Sequence, residues 1–459
     1  MANMQAPVET VQELLPFPTR PFKTFGGIHV PHRKNTAFFE SEALPTPEKV
    51  IIPMQMHIGA PCEPTVKVGD EVRIGQVIGD STAFVSAPIH ASVAGKVKAI
   101  NEILLPTGQR CKTVEIVTDG YEQVMWEGIK PPVVNTKEDL VKAVRASGLV
   151  GLGGAGFPVS VKLSTGDKKV DTIIINGAEC EPYLTADMRE MLEYTKDVMD
   201  GVDFLRKIMD VKRVIIGVES NKPTAIEVLS RIAYDEVRDP ENYVRVLKLR
   251  ASYPQGAEKV LIQACTGRRV PKGKLPLDVG CVVMNITSVA FLARYLRTGI
   301  PLTSKRVTVD GSAVLTPKNV VAPIGTPIGD LLKFCGGYKA SPRKILLGGP
   351  MMGNALYDLE MPIMKQTNGL LALAAQDVEE REATECIRCG RCVAACPMRL
   401  QPTSIERAVK IRDCSELERL SVNTCMECGS CAFSCPAKRP LVQYMRLGKG
   451  ILKNQPKKK

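Results

Sequence analysis

The sequence predicts a multidomain protein of mixed α/β and β architecture. Three observations support this prediction: glycine-punctuated β patterns near the N-terminus and after residue 300, alternating strands and helices between them, and cysteines concentrated near the C-terminus. A chain of 459 residues is long enough for about three or more domains of about 100–200 residues. We expect their boundaries at 1–130, 131–300, 301–340, 341–375 (a connecting segment) and 376–459.

The composition is typical of a globular protein, with 44% hydrophobic residues and a mean hydropathy of −0.02. A membrane-spanning helix needs about 18 or more consecutive apolar residues, and we expect none here. The N-terminal stretch has no basic segment followed by an apolar one, so we also expect no signal peptide. Cysteines outside the C-terminal motif show no pairing rhythm, which favours a reducing cytoplasm.

Eight of the 15 cysteines form two copies of one spacing, C-x2-C-x2-C-x3-C-P. This spacing is typical of proteins that hold two [4Fe–4S] clusters, in which the fourth cysteine of each run binds the other cluster. We expect cluster 1 to be held by Cys386, Cys389, Cys392 and Cys435. We expect cluster 2 to be held by Cys425, Cys428, Cys431 and Cys396. Zinc ribbons do not need this rhythm, and disulfide frameworks suit short secreted chains.

The stretch between the two cysteine runs looks helical at 402–412 and 415–420. This predicts an α-helical ferredoxin-like domain and not a minimal β-rich ferredoxin. The net charge of +12 could serve nucleic acid, an anionic membrane or an acidic protein. With 5% aromatic residues and no recognised binding motif, we expect no nucleic-acid partner. An acidic electron carrier and a membrane surface remain open.

Residues 50–120 read as short strands broken by Gly-Asp turns, which favours a small β-sandwich or barrel. The pattern resembles the barrel-sandwich scaffold of biotinyl and lipoyl domains. The hairpin at 80–84 lacks the lysine that those domains modify, so we interpret this region as a structural module. Residues 304–340 return to a β pattern and fit a β-grasp insert of the SLBB type. A strand is expected at 345–347, and a glycine-rich loop follows it at 348–353.

Residues 136–300 alternate helices and strands. A capping pattern at 136–139 starts a helix that ends near Gly148. Strands are expected at 172–175, 214–218, 244–249 and 282–284, with helices near 187–209, 223–235 and 288–298. Such alternation predicts a Rossmann-like α/β domain with a mainly parallel sheet covered on both faces.

The loop at 151–158, GLGGAGFP, formally matches the dinucleotide fingerprint G-x-G-x-x-G. That fingerprint requires a preceding strand and a following helix, whereas here a helix comes first. A glycine loop can still present N–H groups to an anion and admit a flat ring, and Lys162 could neutralise a phosphate. The alternative is an ordinary flexible loop.

A second polar group, within NGAECEP at 176–182, follows the predicted strand ending at 175. The carboxyl end of a central strand is the usual ligand edge of an open α/β sheet. Asn176, Glu179 and Glu181 could therefore bind ribose hydroxyls or cofactor amides. Turn and cap chemistry before the helix at 187 is the alternative.

Together, 151–158 and 176–182 resemble the FMN- and NADH-binding core of the flavoprotein subunit of respiratory complex I. The order of modules resembles still more closely the C subunits of Rnf complexes, membrane-bound ferredoxin:NAD oxidoreductases that pump sodium ions or protons. The resemblance covers nearly the whole chain, including 25–31, 253–259, 266–271 and the cysteine runs. Leu152 stands where complex I has arginine, and Ala178 where it has aspartate.

The resemblance implies the site residue by residue. Non-covalent FMN would contact Gly151, Gly153, Gly154, Gly156, Lys162, Asn176, Glu179, Glu258 and Asn285. NADH would contact Phe157, Lys162 and Glu181. No acid–base side chain is implied, because hydride transfer between NAD and flavin needs none.

The implied function is that of the NADH-reactive, FMN- and iron–sulfur-containing subunit of such a complex. It would lie peripherally on the cytoplasmic face of the membrane, among the other subunits, and would exchange electrons with ferredoxin indirectly. Ion pumping would belong to the partner subunits. Two alternatives remain from the sequence: a cobalamin reductase of bacterial microcompartments and a flavin-free electron-relay subunit.

Overall fold

The computed structural model describes residues 18–235 and 243–455. The N-terminal stretch considered for a signal peptide lies outside this part. Among the described residues, no helix has both the length and the apolar character needed to cross a membrane.

The N-terminal domain is built from two small antiparallel sheets. After β1 (Glu42–Ala43), its strands are β2 (Lys49–Pro53), β3 (Glu63–Pro64), β4 (Glu71–Val72), β5 (Val77–Asp80), β6 (Ile89–His90), β7 (Gly95–Leu104) and β8 (Arg110–Val117). One sheet has the order β2-β8-β7-β4 and the other β3-β5-β6. Ile52, Val114 and Ile116 are fully buried in the core, as the sandwich prediction requires.

The central domain begins with α1 (Lys137–Ala146), and a capping box between Thr136 and Asp139 starts this helix. The next elements are α2 (Val159–Leu163), β9 (Thr172–Gly177), α3 (Ala186–Glu193), α4 (Thr195–Ile208), β10 (Arg213–Glu219) and α5 (Pro223–Asp235). The domain is completed by β11 (Val244–Leu249), α6 (Glu258–Thr266), β12 (Cys281–Asn285) and α7 (Ile286–Thr298). The four expected strands are therefore confirmed.

The central sheet is parallel throughout, with the order β11-β10-β9-β12. Its strands alternate between two apolar layers. Ile173 and Ile175 pack with Val198 and other residues of the layer on one face, whereas Ile174 packs with Leu261 on the other. The sheet is thus covered on both faces, as the sequence predicts.

The strand order reverses between β9 and β12, because β10 and β11 lie on one side of β9 and β12 on the other. Asn176 and Asn285 are paired in register at the carboxyl ends of these two strands. Such a switch point opens the crevice in which open α/β sheets bind ligands. The fold therefore places both asparagines at the ligand edge.

The helix expected over 187–209 is two helices, α3 and α4, that meet at Tyr194. Tyr194 has φ −127° and ψ 37°, which is outside the helical region. The guanidinium carbons of Arg294 and Arg306 lie 4.7 and 5.3 Å from the centre of its ring. These tertiary contacts, which the local sequence does not encode, accompany the break.

A second β unit follows the α/β domain. Its elements are β13 (Ser304–Asp310), β14 (Lys318–Pro323), α8 (Ile328–Phe334), β15 (Pro342–Leu347), β16 (Asn354–Ala355) and β17 (Gly369–Ala374). They form one sheet of order β1-β14-β13-β17-β15-β16. The segment 341–375, expected to be a connection, therefore supplies three strands. In β17 every residue is buried, so its pattern lacks the alternation that marks a half-buried strand.

The C-terminal domain is helical, as expected from the spacing of its cysteines. Its helices are α9 (Arg391–Ala395), α10 (Pro402–Lys410), α11 (Cys414–Arg419), α12 (Ser430–Phe433) and α13 (Leu441–Lys453). Ile405, Leu417 and Met445 form its apolar centre. The buried Arg439 guanidinium donates to the Glu406 carboxylate, which ties the loop after the second cysteine run to α10.

We predict that Gly201→Ala destabilises the central domain. An alanine Cβ at Gly201, in α4, would lie 2.4 Å from the Val289 carbonyl oxygen of α7. The better helix propensity of alanine is worth about 1 kcal/mol, but overpacking costs about 1–3 kcal/mol. The clash should therefore outweigh the gain in helix propensity and lower the denaturation midpoint measured by circular dichroism.

Gly450→Ala is the matched control, because Gly450 lies in α13 with no atom within 4 Å of the new Cβ. This variant should leave the midpoint unchanged or raise it. A midpoint for Gly201→Ala at or above the wild-type value would contradict the tight α4–α7 packing.

Candidate functional site

The glycine loop is anchored by contacts at its first residues. The Gly151 N–H donates to the Phe157 carbonyl at 2.9 Å. The Leu152 N–H donates to Ser288 Oγ at 3.1 Å, and the buried Lys305 ammonium donates to the Leu152 carbonyl at 3.2 Å. The loop is therefore fixed on the first turn of α7 and is not an ordinary flexible connection.

Glycine is needed in the loop for two different reasons. A Cβ on Gly153 would lie 2.2 Å from Asn285 Nδ2, so only glycine permits this close approach. Gly154 has no atom within 4 Å of its virtual Cβ and therefore faces open space. Gly156 has φ +70°, a conformation that glycine adopts without strain. The loop offers bare backbone to whatever occupies that space.

The two departures from the complex I pattern are both buried. Leu152 is 1% exposed and packs in the main core, and Ala178 is fully buried beneath the other face of the sheet. Neither side chain can reach a ligand in the crevice. Contacts that the arginine and aspartate would make are therefore absent from these two positions.

The switch-point asparagines are both oriented by protein partners. Asn176 Nδ2 donates to the Gly256 carbonyl at 2.8 Å, and its Oδ1 accepts the Ala178 N–H at 3.2 Å. Asn285 Nδ2 donates to Asp187 Oδ2 at 2.8 Å, while its Oδ1 caps α7 by accepting the Ser288 N–H. These bonds fix both amides at the end of the sheet.

Lys162 and Glu258 form an ion pair at the same edge, with 2.9 Å between Nζ and Oε1. The Lys162 ammonium also donates to the Val283 carbonyl at 3.3 Å. Their side chains are 28% and 39% exposed, so the pair is accessible from solvent. The structure thus brings Lys162 on α2 and Glu258 on α6 to the strand that ends at Asn285.

Glu179 acts as a helix cap. Its carboxylate accepts the Asp187 N–H at 2.7 Å and the Met188 N–H at 3.3 Å, at the start of α3. Its backbone has φ +47°, which turns the chain sharply after β9. Burial raises the pKa of Glu179, and the nearby Lys34 opposes this rise. The cap chemistry anticipated as an alternative is therefore present.

Two lysines that the sequence patterns did not indicate hold the turn after β9: Lys222 is buried and Lys34 is half-buried. The Lys34 ammonium donates to the carbonyls of Glu179 and Glu181, each at 2.8 Å. The Lys222 ammonium donates to the Ala178 carbonyl at 2.6 Å. Burial lowers the pKa of Lys34. Lys34 is far away in sequence, so no local pattern could have revealed this contact.

Glu181 lies against the second glycine-rich loop, 348–353. Its Oε2 accepts the Met351 N–H at 3.1 Å, and a Cβ on Gly349 would lie 2.2 Å from the same oxygen. Its Oε1 is buried and has no hydrogen-bond partner in the described part of the chain. Burial raises the pKa of Glu181 to about 7. This carboxylate therefore has spare acceptor capacity.

The four cysteines assigned to cluster 2 line one pocket: Cys396, Cys425, Cys428 and Cys431. The chain thus brings the last cysteine of the first run to three cysteines of the second, as the crossed pattern requires. In the cluster 1 set, Cys392 and Cys435 pack together with Leu441, whereas Cys389 is exposed. No group of His, Cys, Asp or Glu in the described ranges is arranged around a single metal ion.

The cluster 2 loops are in direct contact with the α/β domain. Tyr253 Oη donates to the Cys428 carbonyl at 2.6 Å. The Gly27 N–H donates to the Ala395 carbonyl at 3.0 Å, and a Cβ on Gly26 would lie 2.6 Å from the Cys396 carbonyl carbon. Ile28 and Tyr253 form an antiparallel bridge. The arm at 25–28 therefore joins the two domains.

Models of four protein families match successive parts of the chain. The RnfC barrel sandwich hybrid domain matches residues 22–121, and the Nuo51 FMN-binding domain matches 144–294. The SLBB domain matches 306–355, and the 4Fe-4S dicluster domain matches 379–436. These matches confirm a barrel-sandwich module, an FMN-binding domain, an SLBB domain and a two-cluster domain in the expected order.

Three relatives are similar over most of their length, and each is the C subunit of a multi-subunit complex. The C subunit of the proton-translocating ferredoxin:NAD(+) oxidoreductase complex of Clostridium ljungdahlii is 47% identical to this chain, with 83% of each chain covered. That of the Na(+)-translocating complex of Acetobacterium woodii is 44% identical, with 92% of this chain and 96% of the relative covered. The C subunit of the ion-translocating oxidoreductase complex of Rhodobacter capsulatus is 40% identical, with 96% of this chain and 85% of the relative covered. The chain therefore belongs to the family of C subunits of ion-translocating ferredoxin:NAD+ oxidoreductase complexes, the Rnf family.

Proposed function

We propose that this chain is the NADH-reactive, FMN- and iron–sulfur-containing subunit of a membrane-bound ferredoxin:NAD+ oxidoreductase that moves Na+ or H+. One observation carries this proposal: the chain joins an FMN-binding domain directly to the cysteine loops of a two-cluster domain, through Tyr253 and the arm at 25–28. One relative belongs to a complex named as proton-translocating and another to a complex named as Na(+)-translocating, so the proposal covers both ions.

The residues at the sheet edge fit a flavin mononucleotide. Gly154 faces open space and its neighbour Gly153 lies against Asn285, so a flat ring can approach the backbone there. Lys162 supplies a partly exposed ammonium for a phosphate. When bound, the flavin supplies the conversion between hydride transfer with NAD and one-electron transfer with iron–sulfur clusters.

In this proposal the chain binds FMN through three groups of residues. Backbone of Gly151, Gly153, Gly154 and Gly156 lines the ring, and Lys162 balances the phosphate charge. Asn176, Glu258 and Asn285 border the crevice at the carboxyl ends of β9 and β12. Glu179 contributes by holding the turn, because its carboxylate is committed to the start of α3.

NADH contacts are proposed for Phe157, Lys162 and Glu181. Phe157 ends the glycine loop and is half-buried, so part of its ring can stack on a base or nicotinamide. The unpartnered Oε1 of Glu181 can accept a hydrogen bond from a ribose hydroxyl or a carboxamide. A buried polar atom without a partner costs stability, and a bound dinucleotide would relieve that cost.

The eight motif cysteines are proposed as ligands of clusters 1 and 2 in the crossed arrangement. The domain boundaries expected from the sequence remain part of the proposal, as does a peripheral position on the cytoplasmic face of the membrane. Other subunits of the complex would carry the ion pathway and connect this chain to ferredoxin. The cobalamin reductase and flavin-free relay are not favoured, because the full-length relatives are Rnf C subunits and residues 144–294 match an FMN domain.

An anaerobic NADH titration of the reconstituted chain tests the proposal. NADH should bleach the flavin, and Lys162→Met should weaken FMN binding about 10–100-fold, because a charge-assisted hydrogen bond is worth about 1.5–3 kcal/mol. The control is Lys168→Met, which removes a lysine paired with Asp278 on the exposed surface and should not change FMN affinity. Absence of flavin binding by the wild-type chain would overturn the proposed function.

Single Cys→Ser variants test the crossed ligand sets. Cys396→Ser should remove the same low-temperature EPR signal as Cys431→Ser, although the two cysteines belong to different runs. Cys435→Ser should remove the same signal as Cys389→Ser. Cys414→Ser, outside the motif, should leave the iron content unchanged. If Cys396→Ser instead matched Cys389→Ser, each run would hold its own cluster.

Glu181 should make dinucleotide binding depend on pH. With its pKa raised to about 7, the carboxyl is protonated below that pH and becomes a full hydrogen-bond acceptor above it. NAD+ affinity, measured by calorimetry, should therefore rise as pH increases through about 7. Glu181→Gln should bind more weakly at pH 8 and lose this dependence. Identical pH profiles for the two proteins would exclude Glu181 from the NAD site.

A further inference from the structure

A groove lies beside the cluster 2 loops, apart from the crevice described above. It is bordered by α6, the turn that follows α6, the N-terminal arm and the loop after Cys396. Its walls include Phe25, Lys259, Gln263, Arg269, Met398 and Arg399. None of the described residues that line it is Asp or Glu. The groove therefore carries basic residues on three of its borders and no acidic residue among those that line it.

The three cations of the groove have no counter-charge of their own. Within the described part of the chain, Lys259, Arg269 and Arg399 form no ion pair, although many other surface lysines and arginines do. The contrast is clearest for the neighbouring Arg268, whose guanidinium makes two bonds to Asp171, at 2.7 and 3.0 Å. Arg269 thus keeps its charge available to the groove, whereas Arg268 does not.

Two of these cations are held in place by one aromatic ring. The guanidinium carbons of Arg399 and Arg269 lie 3.4 and 4.8 Å from the centre of the Phe25 ring. Such stacking restrains a guanidinium while leaving its N–H groups free to bind carboxylates. The groove is therefore organised before any anion arrives.

The groove touches the expected ligand loop of cluster 2. Pro397, which follows Cys396 directly, is one of its lining residues. The neighbouring Gly26 packs against the Cys396 carbonyl. A molecule seated in the groove would consequently lie one residue from a cluster ligand.

We propose that this groove docks the acidic face of an electron-carrier protein module, such as an iron–sulfur domain of a neighbouring subunit. The proposal rests on the proposed function, because it requires cluster 2 to be redox-active. One electron would leave the reduced centre of the partner and reduce one cluster of this chain, or the reverse, without bond or proton changes. The unpaired cations steer and orient the partner.

The extent of the basic surface favours a protein partner over a small anion. Exposed Lys23 adjoins the lining residues of the arm, and exposed Lys272 and Lys274 follow those of the turn after α6. This band of basic residues is wider than a single phosphate group could contact. Charges spread over a broad rim chiefly accelerate association of proteins and confer salt dependence.

The test uses the full chain with its flavin and clusters, and a small acidic bacterial ferredoxin with two [4Fe–4S] clusters as probe. The association rate constant and the Kd for binding of the oxidised ferredoxin to the chain are measured at low and high salt. The double variant Lys259→Glu/Arg269→Glu should slow association about tenfold or more and lose most of the salt dependence. It leaves Arg399 and the Cys396 loop unchanged.

The matched control is Lys67→Glu/Lys98→Glu, with the same charge change on exposed lysines of the barrel-sandwich domain. It should leave most of the wild-type association rate. Equal effects of the two double variants would overturn the proposal, as would tight binding of inorganic pyrophosphate to the groove with no ferredoxin binding. NADH bleaching of the flavin in each variant separates this outcome from failure of the proposed function.

Discussion

The close contact between the arm at 25–28 and the loops of cluster 2 is the constraint on which the rest of the structure depends. Gly26 lies so near the Cys396 carbonyl that no side chain fits between them. Tyr253, almost fully buried, donates its hydroxyl to the Cys428 carbonyl. A flavin site on one domain and clusters on another can exchange electrons only when the domains stay close, and these contacts hold them together.

The proposed flavin site depends in turn on the parallel sheet of the central domain. The switch between β9 and β12 creates the crevice, and the glycine loop enters it from before β9 because Ser288 and Lys305 anchor its backbone. The turn that follows β9 requires two charged side chains, one buried and one half-buried. Lys34 and Lys222 satisfy its carbonyls, at a desolvation cost that the hydrogen bonds offset. The site is thus rigid because distant parts of the chain converge on it.

The cysteine runs and the parallel sheet could be predicted from the sequence because local spacing and alternation encode them directly. The break at Tyr194 could not, because stacked arginines from other elements accompany it. The strand at 345–347 could be predicted and lies within β15, whereas β17 was hidden because it is buried throughout. In the site, the residues could be named from motifs, but the cap role of Glu179 and the support from Lys34 depend on contacts that only the folded chain makes.

The most direct test of the interdomain contact is the rate of electron transfer within the chain. A viologen radical generated by a light flash reduces the clusters. The phase of flavin bleaching whose rate does not depend on protein concentration is then followed in the wild type and in Gly26→Ala. We expect this phase to slow in Gly26→Ala, because the added Cβ must push the arm and the Cys396 loop apart. Gly108→Ala, at a glycine of similarly positive φ with no atom within 4 Å, should keep the wild-type rate. An unchanged rate in Gly26→Ala, with full flavin and iron content, would contradict the account.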